Sequence, residues 1–385
     1  MDRVGVNLLK AGMVFSEPVY IDDTNLFVLA GVPLRQKDLD KLKSWDIETV
    51  QTDGFPYPNK EEYVQEVAQK VNSALSLVEV QQNRSIYRNY TSLIEQMNMV
   101  FLRINAGDNA SADIAINTIS SQLFQVLENQ RDRFVGFILG GEVKGNEMAK
   151  SSVNTAILSA LIAQELKFPR YKIFNVIIGA LLHDIGMLRL PKYIIDKQGG
   201  LSEKEQQQMH SHPLYGHKIA TKELSYADEV GDIVLQHHER WDGNGYPEKL
   251  AGNSINIGAR IVSITDAFEA MISEKPYRNS MVGYQAMINL LADSSHRFDP
   301  IILKALVLIM GIYPIGSFVS LNNGIIARVM EVRADAPLRP KIRVIIDEFK
   351  KIHKNEKGAL IDLLIDKDLY ITEAIDGKEL SVQYA

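Results

Sequence analysis

The sequence predicts a multidomain, mainly α protein, in which an all-helical domain is flanked by small β-rich N- and C-terminal units. Three observations carry this prediction. Between about residues 59 and 311, apolar residues recur at helical spacing. Residues 1–53 and 312–385 instead hold short apolar runs punctuated by Gly and Asp, as strands are. A chain of 385 residues also has room for several domains and a real core. The expected divisions are a β-rich module at 1–55, a helical linker or bundle at 56–134, the main helical domain at 135–311 and a β-rich extension at 312–385.

Taken in order, Met13-Val-Phe, Pro18-Val-Tyr-Ile and Leu26–Ala30 read as strands, followed by a helix from Arg35 to Trp45 and a strand at Thr49–Thr52. Asp53-Gly-Phe-Pro-Tyr-Pro is a turn-rich boundary. Helices are expected over Glu61–Gln82, Ser85–Ile104 and Ala110–Asn129, with Gly107-Asp108-Asn109 as a break. Their faces suit core packing, a homodimer interface or a signalling partner. Glu147–Leu166 is a strong helix that Pro169 closes off. The next apolar helix, Lys172–Leu182, ends in His183-Asp184-Ile-Gly186. Ser202-Glu-Lys-Glu205 is a capping box opening a polar helix. Pro213 suits a first helical position, which makes His212 an expected N-cap. Asp228–His238 is another helix, Glu239–Pro247 a Gly-rich loop, and Ile257–Met271 a helix that carries Asp266. Strands are expected at residues 316–321, 324–330, 342–346, 361–364 and 369–371.

The formal net charge of −6 argues against a general DNA or RNA binder, which would show a basic excess. With no cysteine, disulfides, zinc ribbons and thiol nucleophiles are excluded. Met1-Asp-Arg-Val-Gly lacks the pattern of a signal peptide. The apolar segment Ile301–Ile315 is short and broken by Lys304 and Pro314, so no membrane span is expected. The reading is a soluble, cytoplasmic protein.

The chain has eight histidines, and four of them, His183, His212, His237 and His238, fall at helix ends or beside loops of the main domain. Asp184 and Asp266 sit in the same domain, with Glu147 as a third carboxylate. Helices of one bundle can aim such groups at a common point. Imidazoles with carboxylates and no thiolate suit Fe, Mn, Zn or Ni. Paired ions of that kind suit in-line displacement at phosphorus. Asp266 lies on an otherwise apolar helix, where a carboxylate needs a partner or a metal. Trp241 and Tyr246 are either loop anchors or platforms for a nucleobase. His210, His217, His296 and His353 read as surface or packing residues.

His183-Asp184-Ile-Gly186, His212-Pro213 with Gly216, His237-His238-Glu-Arg-Trp-Asp-Gly-Asn-Gly245-Tyr246-Pro247, Ala259-Arg260-Ile with Asp266, and Lys275-Pro-Tyr-Arg278 together resemble the HD-GYP domain, a branch of the HD phosphohydrolase superfamily. The resemblance spans about residues 135–311. It implies an all-helical HD-type fold, two or three divalent metals with Fe or Mn favoured and Ni, Mg or Zn as alternatives, and hydrolysis of cyclic di-GMP to pGpG or GMP. Carried over by position, His183, Asp184 and Asp266 would hold the core metal, and His183 and Asp184 would be the catalytic pair. Asp184 would bridge to a second metal held by His212 and His237. His238 and Glu147 would serve a third, and Tyr246, Lys275 and Arg278 would hold substrate.

This chain departs from that pattern. Ser151 stands where the family has a metal-binding His, and Met187 where it has a Lys near phosphate. Glu269 replaces an Asp, and Lys275 an Arg. Losing one such interaction costs on the order of 10²–10³ in rate. Beside the phosphodiesterase stand two rivals: an impaired effector that binds a cyclic dinucleotide or a partner protein, and a phosphohydrolase of another nucleotide.

Overall fold

Alternating and helical apolar patterns each find a separate core. The computed structural model describes residues 2–22, 25–60, 62–63, 84–140, 146–197, 199–273, 283–293, 296–353 and 358–375. The N-terminal module has strands β1 (Asp2–Gly5), β2 (Val14–Phe15), β3 (Val19–Tyr20) and β4 (Leu26–Val28), helix α1 (Gln36–Ser44), and strands β5 (Thr49–Thr52) and β6 (Pro56–Tyr57). A four-stranded sheet runs in the order β1-β5-β3-β4, and β2 pairs with β6. Phe15, Val19, Leu34, Leu42 and Val50 form its small core. Strand β1 was not expected, since Asp2–Gly5 is too short to show a period; backbone pairing with Thr49–Thr52 makes it a strand. The helix expected at Glu61–Gln82 lies outside the described residues, apart from Glu62 and Tyr63.

The helical unit spans Arg84–Gly316 with Val332–Leu338. Its helices are α2 (Arg84–Ala106), α3 (Asn109–Gly140), α4 (Glu147–Glu165), α5 (Arg170–Leu182), α6 (Lys192–Ile195), α7 (Glu203–Met209), α8 (His212–Lys218), α9 (Asp228–Gln236), α10 (Ile257–Ile272), α11 (Gly283–Ala292) and α12 (Pro300–Met310). Helix α4 is buried on every side from Ala149 to Ala163, with Ser151 alone half-buried. A helix with no solvated face lies at the centre of its domain, even though this one carries buried Ser152, Asn154, Thr155 and Ser159 among its apolar residues. Residues of α2 and α3, such as Tyr90, Met97, Ile116 and Leu123, join the same core as α4, α5, α10 and α12. The expected bundle, as far as its residues are described, therefore folds with the main domain.

The run Arg170–Arg189 is 20 residues long and apolar enough to cross a membrane by length and composition, yet 61% of its most apolar window is buried inside the protein. Its apolarity serves the core beneath the His-Asp pair.

The C-terminal strands are β7 (Phe318–Leu321), β8 (Ile326–Glu331), β9 (Lys341–Ile346), β10 (Leu360–Asp362) and β11 (Ile371–Ile375). They form an antiparallel sheet in the order β10-β9-β8-β7-β11. In β9 the side chains of Ile342, Val344 and Ile346 are buried and their neighbours less so, the period-two signature of a half-buried strand.

Candidate metal centre

Most of the candidate ligands sit at a helix end: His183, Asp184, His237 and His238 where a helix stops, His212 and Glu147 where one begins, with Asp266 alone inside a helix. Helix α5 ends at Leu182, and His183 is its C-cap. Asp184 leaves the helical path and begins a 3-10 turn over Ile185–Arg189. Gly186 lies in that turn, where a Cβ would overlap the carbonyl oxygen of His212 and crowd the amide of Gly216. Only glycine lets the His-Asp turn rest directly on the backbone of α8. His212 is the first residue of α8, not its N-cap; Ser211 takes the cap, because Pro213 is accommodated anywhere in a first turn. Helix α9 stops at Gln236, so His237 and His238 lie on its last, unwinding turn.

Three of the imidazoles are anchored the same way. Nδ1 of His183 lies 2.7 Å from the carbonyl oxygen of Ala180, that of His212 2.8 Å from Met209, and that of His237 2.8 Å from Val234. A carbonyl only accepts, so each Nδ1 carries the proton and donates it. In the neutral ring Nε2 is then a bare lone pair, the arrangement that orients metal-binding histidines.

Those Nε2 atoms converge on carboxylates. His183 Nε2 is 3.5 Å from Asp184 Oδ2 and 3.6 Å from Asp266 Oδ1. On the other side, His212 Nε2 is 3.2 Å and His237 Nε2 3.8 Å from Asp184 Oδ1. The two Nε2 atoms of His212 and His237 are 3.3 Å apart. Ligand atoms of Asp184, His212, His237 and His238 all lie within 4.8 Å of one another. His183 Nε2 is buried without a hydrogen-bond partner. Lone pairs so arranged repel unless a cation lies among them, and an imidazole–carboxylate set suits a divalent one. Burial holds His237 and His238 below the usual imidazole range, which favours the neutral form that a metal would require. At His183 burial pulls the same way, but Asp184 and Asp266 outweigh it and raise the pKa, so positive charge is favoured there.

The Gly-rich loop is held from within. Glu239, buried, accepts backbone N–H bonds from Glu248 at 2.6 Å and Leu250 at 3.1 Å. At Gly245 a Cβ would meet the carbonyl oxygen of His238 at 2.6 Å, so the loop folds back on its own start. Tyr246 is stacked on His210, with ring centroids 3.9 Å apart and planes 12° apart. His210, expected to be a surface or packing residue, thus belongs to the site's rim. Its two-residue spacing from His212 carried no hint of this. Trp241 is covered by the guanidinium of Arg260, 5.5 Å from the ring centroid.

Glu147 is exposed in the first turn of α4 and is not among the converging ligand atoms. Ser151, one turn on, donates to Glu269 Oε2 at 2.8 Å. Asn154 donates to Glu269 Oε1 at 3.2 Å and accepts from the Tyr90 hydroxyl at 2.7 Å. Ser273 also donates to Glu269. Met187 is half-buried in the 3-10 turn. Lys275 and Arg278 lie outside the described residues.

Residues 114–302 match the HD domain family. They are an HD domain. Residues 318–383 match the KOW domain associated with HD domains. The chain is similar to the cyclic di-GMP phosphodiesterase PdeB of Borreliella burgdorferi, at 32% identity over 59% of this chain and 60% of that protein. It is similar to the cyclic di-GMP phosphodiesterase PA4108 of Pseudomonas aeruginosa, at 32% over 52% of this chain and 48% of that protein. The cyclic di-GMP phosphodiesterase response regulator RpfG of Xanthomonas campestris pv. campestris matches at 34% over 39% of this chain and 40% of its own length. The chain thus spans 40–60% of the length of these relatives. A solved structure, the HDG"Y"P protein Bd1817 of Bdellovibrio bacteriovorus, covers 79% of this chain and 97% of its own at 18% identity and a TM-score of 0.44.

Proposed function

We propose that this protein is a metal-dependent phosphodiesterase that hydrolyses cyclic di-GMP to pGpG or GMP, in the bacterial cytoplasm. The observation that carries the reading is the split carboxylate of Asp184. One oxygen faces His183, which also faces Asp266, and the other faces His212 and His237. That suits two divalent ions, Fe or Mn before Ni, Mg or Zn, with a third open to His238 and Glu147. Such ions, when bound, supply an activated hydroxide and neutralise the charge that builds on the phosphoryl oxygens. The chain's own residues hold and shape the site. His183, Asp184 and Asp266 form one half, His212 and His237 the other, and Asp184 joins them. Tyr246, at the rim, is assigned with Lys275 and Arg278 to holding the substrate. The names of the relatives support the substrate.

A second reading is a cyclic dinucleotide- or partner-binding effector, and one observation favours it. Ser151 offers no imidazole and has its hydroxyl engaged by Glu269. The deciding experiment is elemental analysis of protein purified without oxygen, followed by cyclic dinucleotide turnover on the same sample. About two metal ions per chain with pGpG or GMP formed establishes the enzyme. Metal near zero, no product and retained dinucleotide binding establishes the effector. Turnover of another cyclic dinucleotide in preference to cyclic di-GMP moves the substrate assignment.

A further inference from the structure

His238 differs from its three neighbours. His183, His212 and His237 each donate Nδ1–H to the carbonyl three residues earlier. The ring of His238 makes no hydrogen bond among the described residues and is held by other rings instead. The centroid of His237 is 4.0 Å away, that of Tyr246 4.8 Å away with planes 31° apart, and that of His212 5.0 Å away and edge-on. Tyr246 is itself pressed against His210 at 3.9 Å, nearly parallel. His210 comes from the end of α7, His238 from the end of α9 and Tyr246 from the loop, so the stack ties three separate segments together. The Tyr246 amide donates to the His238 carbonyl at 3.3 Å, which keeps the tyrosine over its partner.

We propose that His210 and Tyr246 form an orienting brace for His238, doing by ring stacking what a backbone carbonyl does for the other three histidines. His210 is a positioning residue that acts through Tyr246. The stack also occupies a face of Tyr246 that a nucleobase would need, so the tyrosine serves the ligand beside it and not a base on that side. The inference rests on the metal-centre reading.

The test is equilibrium dialysis against Mn(II), with elemental analysis, on the full chain. The variants are His210→Ala, His210→Phe, His238→Ala and the double variant His210→Ala/His238→Ala, each checked for a native circular dichroism spectrum. An aromatic pair of this kind corresponds to about a three- to tenfold change in an equilibrium constant. His210→Ala is expected to weaken the Mn(II) equivalent held through His238 by that factor. His210→Phe, which keeps a flat ring, should bind within about twofold of the parent, less than a stacking contact is worth. The double variant should bind no more weakly than His238→Ala alone, because residues that act as a unit are not additive. Unchanged Mn(II) binding by His210→Ala, a His210→Phe as weak as His210→Ala, or additive losses in the double variant would each overturn the brace. A parent protein that takes up no Mn(II) and no Fe(II) would instead overturn the metal centre, and the brace with it.

Discussion

Ser151 shows how a residue out of place by resemblance can be in place by physics. Glu269 is only 1% exposed, and a buried carboxylate needs donors. Ser151, Asn154 and Ser273 supply them, from α4 and from the end of α10. The two departures at 151 and 269 therefore form one contact, and neither is an isolated loss. Ser151→Ala is expected to lower stability by about 1–3 kcal/mol, the usual loss when a buried acceptor is left short of a donor. Urea denaturation measures it, and a change under about 0.5 kcal/mol, the range of an ordinary surface substitution, would show the contact to be dispensable. Asp184→Asn is the companion prediction. It removes the carboxylate shared by both halves, so metal content should fall by at least about one ion per chain, with turnover down on the order of 10²-fold or more. The types of these residues were legible in the sequence, because four of only eight histidines gather with Asp184 and Asp266 in one helical domain. Their aim was not, because which ring nitrogen faces the site depends on a carbonyl three residues back. The place of His210 is not legible for a different reason, since it is set by a loop that lies 36 positions further along at Tyr246.

Among the elements, the closest approach that builds the site is between the 3-10 turn of residues 185–189 and α8. Gly186 rests on the His212 carbonyl and on Gly216, and Gly216 in turn lets Val234 of α9 close in. Two segments that carry candidate ligands are thus pinned backbone to backbone. Gly186→Ala should force them apart, with at least about 2 kcal/mol of lost stability, at the upper side of ordinary overpacking because the clash is with backbone. The same variant should lose metal, which elemental analysis reads directly. Full metal retention would mean that the turn adjusts without moving His212. From α4 to α10 the longer helices were legible to within a few residues, from the apolar period and from Pro169 and the Ser202–Glu205 cap, whereas α3 continues to Gly140, well past the Asn129 at which its pattern was expected to end. The shift of the N-cap from His212 to Ser211 was not legible, since proline fits more than one place in a first turn.

For the whole molecule, the candidate ligands come from the ends of α5, α8, α9 and the body of α10, so an ion shared among them would join four helices of one core. An ion that binds the folded chain and not the unfolded one stabilises it, by about 2.7 kcal/mol at one hundred times its dissociation constant. Chelation should therefore lower the midpoint of thermal unfolding, and added Mn(II) or Fe(II) should restore it. A midpoint indifferent to both would count against the centre. By itself the sequence determined most of the succession of elements, the mainly α class with β-rich ends and the grouping of four histidines with carboxylates in one helical domain. Those properties are local, written in periodicity, capping and composition. Only the tertiary structure decided which oxygen of Asp184 faces which imidazole, that Ser151 serves Glu269, that α2 and α3 share the main core, and that His210 stands behind Tyr246. These depend on contacts between residues distant in the chain, where packing and the need to satisfy every buried polar group choose among arrangements that local pattern leaves equal.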